Sequence, residues 1–309
     1  MSTYLVVGAG PVGSTTALKL AETGHRVIVA TRSGNGPTHP QIEHRKLDAS
    51  NERALTDASS GTSAILNCAN PPYVSWDTDW PPIANAILGA AKQTGAGVVT
   101  MSNLYGYGPK HQLMRADTPL DATGKKGRVR ADMWRTALAA HQAGQVRTAE
   151  VRAGDFFGPG VVDANMGERV VPRLLRGKGV QLLGATDVSH SFSYIPDVAK
   201  VLAAVAIDEG SWGRPWLVPS VSVTQREMVE ALARAAGTTR VKISTLPSFL
   251  LKAMGFVVPM MRELQEIQYQ FAAPFVVDAS DTTERFGIRA TDLEETTRAT
   301  VAWWRARQN

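Results

Sequence analysis

The sequence contains a single cysteine, Cys68, among its 309 residues. One thiol cannot form an intramolecular disulfide, and it cannot supply the ligands of a cysteine-based zinc or iron–sulfur site. We therefore expect no metal, and we expect a reducing, cytoplasmic setting for the protein.

The chain also lacks an apolar run long enough to cross a membrane. Its most apolar stretch, residues 246–261, is interrupted by Pro247, Lys252 and Pro259, and a span requires ~20 uninterrupted apolar residues. The first residues show neither a basic segment nor a small-residue cleavage site. The sequence therefore predicts neither export nor a transmembrane helix.

No long tract of one charge sign is present. The 33 basic and 28 acidic residues give a formal net charge of +5, and they are largely interleaved. This pattern argues against nucleic acid as a partner, and the lack of a long apolar run argues against a membrane. Hydrophobic residues make up 44% of the chain, which is typical of a globular protein and excludes a disordered, collagen-like or coiled-coil protein.

Short β-branched runs alternate with longer segments of helical spacing in the first half of the chain. The predicted strands cover residues 4–7, 27–30, 42–45, 64–68, 97–101 and 147–152. The predicted helices between them cover residues 12–23, 51–58, 82–94 and 127–142. This alternation predicts an α/β fold, a Rossmann-like doubly wound parallel sheet with helices on both faces.

Beyond residue 155 the pattern is less regular, which suggests a smaller C-terminal substrate lobe. A helix is predicted over residues 165–176, and Thr224 with Glu227 forms a capping-box pattern that opens a helix towards Gly237. We assign residues 1–155, together with about 193–218, to the dinucleotide-binding domain. Residues 156–192 and 219–309 then form the substrate lobe.

A glycine triplet follows the first predicted strand and opens the first helix. Gly8, Gly10 and Gly13 enclose Pro11 and Val12. Such a loop makes a tight turn, brings backbone amides close to a pyrophosphate and lets the helix pack on the strand. These five residues are therefore predicted to bind a dinucleotide; the alternative is a tight turn that binds nothing.

The end of the second strand carries Thr31, Arg32 and Ser33 where a dinucleotide-binding protein selective for NAD has an acidic residue. A guanidinium and two hydroxyl groups suit a 2′-phosphate, so NADP is predicted as the cofactor, with NAD as the alternative. The alternative is that Arg32 is a solvated surface residue, in which case NADP and NAD would bind with comparable affinity. Asp48 is a candidate for the adenine amino group, or else an exposed loop residue.

Several further motifs occur in one order and spacing, at residues 67–70, 103–106, 152–160 and 192–198. Together with the glycine triplet they resemble the extended short-chain dehydrogenase/reductases, the family of sugar-nucleotide epimerases and dehydratases. The resemblance covers almost the whole chain. It implies a Rossmann cofactor domain, a C-terminal substrate lobe and, in many members, a homodimer. It also implies cofactor contacts from Ala69, Asn70, Asp155 and Phe156.

The positions that match the family's catalytic triad hold other residues. Met101 stands at the serine or threonine position, Lys126 at the tyrosine position and Arg130 at the lysine position. Thr100 and Ser102 flank Met101, and strand alternation turns them away from its side unless the strand bulges. Ser102 remains a candidate substitute. Lys126 is interpreted as an acid/base or an anion anchor, and Arg130 as a fixed charge that orients the ribose.

Four cations fall within six residues, at Lys125, Lys126, Arg128 and Arg130. They stand at a predicted helix start, where the macrodipole disfavours positive charge. The cluster therefore predicts an anion, either a carboxylate or phosphate of the substrate; the alternative is an exposed basic turn or dimer rim.

Three tyrosines are candidates for a replacement proton donor: Tyr105, Tyr107 and Tyr73, each of which can instead be a packed loop aromatic. His190 stands where sugar-nucleotide enzymes of the resembled family often hold an arginine, which weakens the expectation of a nucleotide-sugar substrate. The weakly charged segment 249–275 is interpreted as lobe core or as the wall of an apolar pocket. Its markers are Met254, Phe256, Met260, Met261 and Phe271.

The leading interpretation is an atypical extended short-chain dehydrogenase/reductase that binds NADP(H) and acts on a small anionic or hydrophobic molecule through a non-standard proton donor. One alternative is a non-catalytic NADP(H) sensor or scaffold. The other is a redox-neutral epimerase or dehydratase with tightly bound NAD.

Overall fold

The computed structural model of the chain describes residues 1–238, 240–246, 263 and 265–308. Within these residues the strands are β1 (Thr3–Val7), β2 (Arg26–Thr31), β3 (Ile42–Lys46), β4 (Ala64–Asn67), β5 (Gly97–Asn103), β6 (Leu113–Met114), β7 (Thr148–Ala153), β8 (Asp155–Phe157), β9 (Val180–Leu183), β10 (Ser189–Tyr194), β11 (Pro215–Leu217), β12 (Val221–Thr224), β13 (Ile243–Leu246) and β14 (Val276–Val277).

Helices follow most strands of the first half. The described helices are α1 (Pro11–Glu22), α2 (Glu52–Ser59), α3 (Trp76–Thr94), α4 (Lys125–Gln142), α5 (Val171–Leu175), α6 (Ile195–Ile207), α7 (Gln225–Ala236), α8 (Ser280–Phe286) and α9 (Leu293–Gln308).

Seven strands form the central sheet in the order β11-β7-β5-β4-β1-β2-β3. Every neighbouring pair in this sheet is parallel. The chain winds outwards in one direction from β1 to β3 and in the other from β4 to β11. The predicted Rossmann-like α/β fold is confirmed, and ligands of such sheets bind beyond the carboxyl ends of the strands, where the winding reverses.

Both faces of the central sheet are covered by apolar side chains. One cluster joins the sheet to α1 and α6, with Leu20, Val29 and Leu202 fully buried. The other joins it to α2, α3 and α4 and includes Ile87 and Trp134. Burial on both faces explains why β1 and β4 read as continuous apolar runs rather than as alternating patterns.

A third apolar cluster lies outside the central sheet, where α5, α7 and α9 pack together around Leu174, Leu232 and Trp304. The helix predicted from the capping box is confirmed as α7: Thr224 accepts from the Glu227 amide, the Glu227 carboxylate accepts from Thr224, and Gly237 ends the helix at φ +81°. The division of the chain into two domains stays a prediction.

Two helix boundaries differ from the sequence prediction. α3 begins at Trp76 rather than at residue 82. The rings of Trp76 and Trp80 are buried one turn apart, and their burial stabilises this first part of the helix by more than is lost because the two prolines that follow have no amide donor. The helix predicted over residues 165–176 was wrong for its first half. Only Val171–Leu175 is helical. Before it the chain forms a tight turn in which Gly167 lies so close to Val162 that a Cβ on Gly167 would be 2.0 Å from the Val162 carbonyl oxygen. Pro172 then favours the start of a helix.

Among the described residues, no helix combines the length and apolar character needed to cross a membrane. Of the residues that mark the weakly charged segment, Met254, Phe256, Met260 and Met261 lie outside the described residues. Phe271 is described, and its ring is buried against His190.

A buried ion pair lies between the central sheet and α4. The Arg152 Nε atom donates to Glu150 at 2.6 Å, and both side chains are 3% exposed. Arg152 also donates to the Tyr107 hydroxyl at 2.8 Å and lies near the Trp134 ring. Neither charge can reach water, so each depends on the other.

We expect Arg152→Met to lower the free energy of unfolding by about 3–5 kcal/mol, because it leaves the Glu150 carboxylate buried without its cation. The double variant Glu150→Leu with Arg152→Met should recover most of this loss, because it removes both charges. Urea unfolding followed by tryptophan fluorescence measures both effects. A single variant as stable as the unmodified protein, or a double variant no better than the single one, contradicts this account.

Candidate functional site

The glycine loop between β1 and α1 is held by close backbone contacts at two of its glycines. Gly8 has φ +99°, and a Cβ there would lie 2.6 Å from the Cys68 carbonyl oxygen. A Cβ on Gly13 would lie 2.0 Å from the Gly8 carbonyl oxygen. Both positions therefore require glycine, since any side chain would push α1 away from the sheet.

Gly10 differs from the other two glycines because it faces open space. A Cβ there would meet no atom within 4 Å. Gly10 is the N-cap of α1 and offers no side-chain acceptor to the first helical amides, and Pro11 and Val12 are the first two helical residues. An open, uncapped helix N-terminus at the carboxyl edge of a parallel sheet fits a phosphate group.

Thr31 is the last residue of β2, and Arg32 and Ser33 follow it directly. The Thr31 hydroxyl donates to the Asn35 carbonyl at 2.9 Å, and the Ser33 hydroxyl accepts from the Asn35 amide at 3.3 Å. Both hydroxyl groups thus shape the turn. Arg32 is exposed and forms no ion pair with any described residue, so its guanidinium is free to bind an anion.

Asp48 lies in the loop after β3 and is exposed. Its Oδ1 atom accepts from the amide and from the hydroxyl of Ser50, at 2.9 and 2.7 Å. These hydrogen bonds lower the pKa of Asp48, and the positive charge of Arg32 adds to the effect. Asp48 is therefore a fixed carboxylate near Arg32.

Ala69 and Asn70 follow β4, next to the glycine loop. The Ala69 amide donates to the buried Asn67 side chain at 3.3 Å, and Asn70 is exposed. The backbone that a Gly8 side chain would strike belongs to Cys68 and Ala69. The structure therefore brings residues 67–70 against the glycine loop.

Asp155 and Phe156 lie on β8, which pairs with β10. Phe156 is partly buried against the sheet core. The Asp155 Oδ2 atom faces His190 Nε2 at 3.3 Å without hydrogen-bond geometry, while His190 Nδ1 lies 3.2 Å from the Gln270 carbonyl oxygen. His190 is 1% exposed and stacks on Phe271, so the aromatic stack encloses its ring.

Strand alternation at the end of β5 separates Met101 from its neighbours. Met101 packs into the cluster under α1 and α6, whereas Thr100 lines a small cavity beside Trp134 of α4. Ser102 is buried and pairs with Arg152 of β7. The strand does not turn Ser102 to the side that Met101 occupies.

Lys126 is buried, with 2% of its side chain exposed, and its ammonium group forms an ion pair with Glu263. The ammonium nitrogen also lies 4.4 Å from the centre of the Tyr73 ring. Lys126 thus has an anion from its own chain and an aromatic face beside it. Lys125, Arg128 and Arg130 also find partners within the chain.

Arg130 lies in a box of indole rings. Its guanidinium carbon is 4.6 Å from the Trp76 ring centre and 4.1 Å from that of Trp80, and Nη1 donates to the Met101 carbonyl at 3.4 Å. Burial lowers the pKa of Arg130 to about 10, so the group stays charged at neutral pH. Its Nε atom has no partner among the described residues.

Two of the three candidate tyrosines meet beside Lys126. The Tyr73 and Tyr105 hydroxyl groups lie 3.5 Å apart. Burial raises the pKa of both phenols, and that of Tyr105 is well above its ordinary value. Tyr107 is different: it is fully buried, and its hydroxyl donates to the Arg115 carbonyl and accepts from Arg152. It packs as a core residue.

A cavity of about 160 Å³ opens beside this tyrosine pair. Six of its lining residues are Tyr105, Pro109, Ala122, Glu266, Ile267 and Tyr269, and most of the lining is apolar. Ser102 is not among the lining residues. Within residues 1–238, 240–246, 263 and 265–308, no group of His, Cys, Asp or Glu side chains is placed to hold a metal ion.

A second carboxylate caps the start of α4. The Lys126 amide donates to the Glu266 carboxylate at 2.6 Å, while Gly124 at the N-cap offers no side-chain acceptor. Sequence reasoning missed Glu263, Glu266 and the indole box. The available signal was the spacing of the two glutamates, three residues apart, whose negative charges complement the cations of α4. The glutamates are 137 or more residues from Lys126 along the chain, so the sequence does not show that the two groups are in contact.

Comparisons with known proteins identify relatives of this fold. A model of the NAD dependent epimerase/dehydratase family matches residues 4–214. No curated protein sequence matches the chain.

Three solved structures are similar over nearly their whole length. UDP-glucuronic acid 4-epimerase from Bacillus cereus, in complex with NAD, has a TM-score of 0.81 at 15% identity, covering 99% of this chain and 100% of that one. dTDP-glucose 4,6-dehydratase from Bacillus anthracis, also with NAD, has a TM-score of 0.79 at 17% identity, covering 100% and 98%. UDP-glucose 4-epimerase from Thermotoga maritima, with UDP-glucose, has a TM-score of 0.79 at 16% identity, covering 99% and 100%.

We expect Gly13→Ala to lower the free energy of unfolding by about 1–3 kcal/mol, because its Cβ would overlap the Gly8 carbonyl oxygen. Gly10→Ala is the matched control: its Cβ meets open space, and its backbone at φ −67° suits alanine. Thermal unfolding of the two purified variants separates these effects. Equal melting temperatures for the two variants would show that α1 does not need the close contact at Gly13.

Proposed function

Because the chain belongs to the NAD dependent epimerase/dehydratase family, we propose that it is an NADP(H)-dependent oxidoreductase that reduces or oxidises a small molecule with a tyrosine as its proton donor. The observation that carries this proposal is the open glycine loop, with its uncapped helix N-terminus, at the same sheet edge as the Tyr73–Tyr105 pair.

The glycine loop fits a dinucleotide. Gly8 and Gly13 hold α1 close to β1, and the amides that follow Gly10 face the open space where a pyrophosphate would lie. Ala69 and Asn70 border the loop from β4. Two of the structural neighbours described above were solved with NAD, which supports a nicotinamide cofactor for this chain.

Arg32 favours NADP(H) over NAD(H). The guanidinium is exposed and unpaired among the described residues, directly beyond β2. Thr31 and Ser33 hold the turn around it through their bonds with Asn35. A carboxylate at this position would repel a 2′-phosphate, whereas a planar cation binds it.

Tyr105 is the proposed proton donor. When bound, a nicotinamide would supply the hydride for reduction of a carbonyl or accept it in oxidation of an alcohol, and the residue sought here gives a proton to the substrate oxygen in the first case and takes one from the hydroxyl in the second. Tyr105 lines the cavity, and its hydroxyl lies 3.5 Å from that of Tyr73, the nearest side-chain hydrogen-bond partner of this phenol among the described residues. Burial raises its pKa, which keeps the phenol protonated and suited to reduction.

One observation favours a second candidate function. Lys126 is bound to Glu263, and Arg130 is enclosed by indole rings, so neither cation is open to a substrate. A cofactor-binding sensor without turnover would need no free catalytic cation. Tight NADPH binding without consumption of NADPH in the presence of aldehydes, ketones or lactones supports the sensor, and steady consumption supports the oxidoreductase.

We expect Arg32→Ala to weaken NADPH binding by about 10–100-fold, which corresponds to the loss of charge-assisted hydrogen bonds worth about 1.5–3 kcal/mol. NADH binding should change little, because NADH lacks the 2′-phosphate. Arg53→Ala on the exposed face of α2 is the control. Calorimetric titrations of both nucleotides test this, and equal losses for NADPH and NADH count against the assignment of Arg32.

We expect Tyr105→Phe to lower kcat for carbonyl reduction by about 10²–10⁴-fold while NADPH affinity is retained, because the proton donor is lost. Tyr73→Phe should have a smaller effect, and Tyr4→Phe, at the start of β1, should have none. Stopped-flow oxidation of NADPH with the most active carbonyl compound measures all three.

The Tyr105 phenol also determines how the rates of reduction and oxidation should depend on pH. Since burial raises the pKa of Tyr105, the acid form persists, and the reduction rate should stay flat up to about pH 10, the ordinary value for tyrosine. Oxidation needs the deprotonated form and should rise with pH over the same range. A reduction rate that falls between about pH 6 and pH 8 points to another proton donor.

A further inference from the structure

Two of the four positive charges at the start of α4 are paired with carboxylates of the chain itself. Lys125 pairs with Asp77 at 2.6 Å, and Lys126 pairs with Glu263. Arg128 donates to the Thr123 carbonyl. Arg130 lies against indole rings, so Lys125 and Lys126 are the two cations of this group that have carboxylate partners among the described residues.

The amide end of α4 is engaged as well. The Glu266 carboxylate accepts from the Lys126 amide at 2.6 Å, and a Cβ on Gly124 would lie 2.5 Å from the same carboxylate oxygen. A substrate phosphate or carboxylate that approached this helix end would meet a carboxylate already in place. Like charges at short range oppose binding.

The neighbouring cavity has the size and lining of a site for a small apolar group. Its volume is about 160 Å³, and an apolar protein cavity of roughly 150 Å³ holds benzene. Tyr105, Ile267 and Tyr269 line it, and burial raises the pKa of Tyr269 to about 12, so this phenol stays neutral. Glu266 is the charged residue at its wall.

From this arrangement we infer that the substrate of the Tyr105 site is an uncharged carbonyl compound about the size of one ring, and that Glu266 makes the site reject anions. This inference rests on the proposed function for the chemistry at Tyr105. It separates this chain from the neighbours that act on UDP- or dTDP-sugars, whose substrates carry a charged diphosphate.

Two probes of equal size and different charge test the inference. 4-Formylbenzamide is neutral, and 4-formylbenzoate carries a carboxylate at the same position. Saturation-transfer NMR titrations on the full-length protein with NADPH present give the dissociation constant of each. We expect the benzoate to bind at least about tenfold more weakly than the amide.

Variants assign the discrimination to Glu266. Glu266→Gln keeps an acceptor for the Lys126 amide and removes the charge, so it should reduce the difference between the two probes severalfold. Glu284→Gln, on the exposed surface of α8, should leave the difference unchanged. A melting temperature for each variant shows that it is folded.

Binding is measured apart from turnover, so the two proposals fail separately. Discrimination against the benzoate without any NADPH consumption supports this inference and overturns the proposed oxidoreductase. Equal or tighter binding of the benzoate, a difference that Glu266→Gln does not change, or tight binding of UDP-glucose overturns the inference, even where the protein consumes NADPH.

Discussion

The close approach of α1 to the central sheet determines the position of the candidate cofactor site. Gly13 sits against the Gly8 carbonyl, and Gly8 sits against the chain that leaves β4. With no side chains between them, helix and sheet pack at short range, and the first amides of α1 remain uncapped at the carboxyl edge of the strands. The end of β2, the loop after β4 and the start of α4 all meet this same edge.

The second organising feature is charge balance at the start of α4. Cations at the N-terminus of a helix are unfavourable by ~0.3–1 kcal/mol each. Glu263 and Glu266 come from far along the chain and neutralise this end, while Trp76 and Trp80 enclose Arg130. The result is a site that carries buried charges and yet presents phenols and apolar side chains to the neighbouring cavity. These phenols stay protonated because burial opposes their ionisation.

Local sequence patterns predicted the part of the fold that depends on local physics. β1, the glycine loop and α1 follow from a β-branched run, three spaced glycines and a helical apolar face, and the capping box at Thr224 predicted α7 in the same way. The helix predicted over residues 165–176 was half wrong because tertiary contact at Gly167 overrode helical spacing. α3 began earlier than predicted because paired tryptophans outweighed two prolines.

The site was harder to predict, for a physical reason. The motifs located Lys126, Arg130 and Tyr105, but their states depend on partners that no local pattern reveals. Glu263 is 137 residues from Lys126, and the indoles around Arg130 come from a helix that precedes it by some fifty residues. Ion pairs and aromatic boxes between distant segments are set by the packed fold. The sequence alone therefore identified the cations but not the side chains that pair with them.

The most direct test of this account is a calorimetric titration of the unmodified protein with NADPH and with NADH under identical conditions. We expect saturable binding of one nucleotide per chain, with NADPH bound more tightly because of its 2′-phosphate. Absence of heat for both nucleotides at millimolar concentration, with the protein shown to be folded, would contradict it.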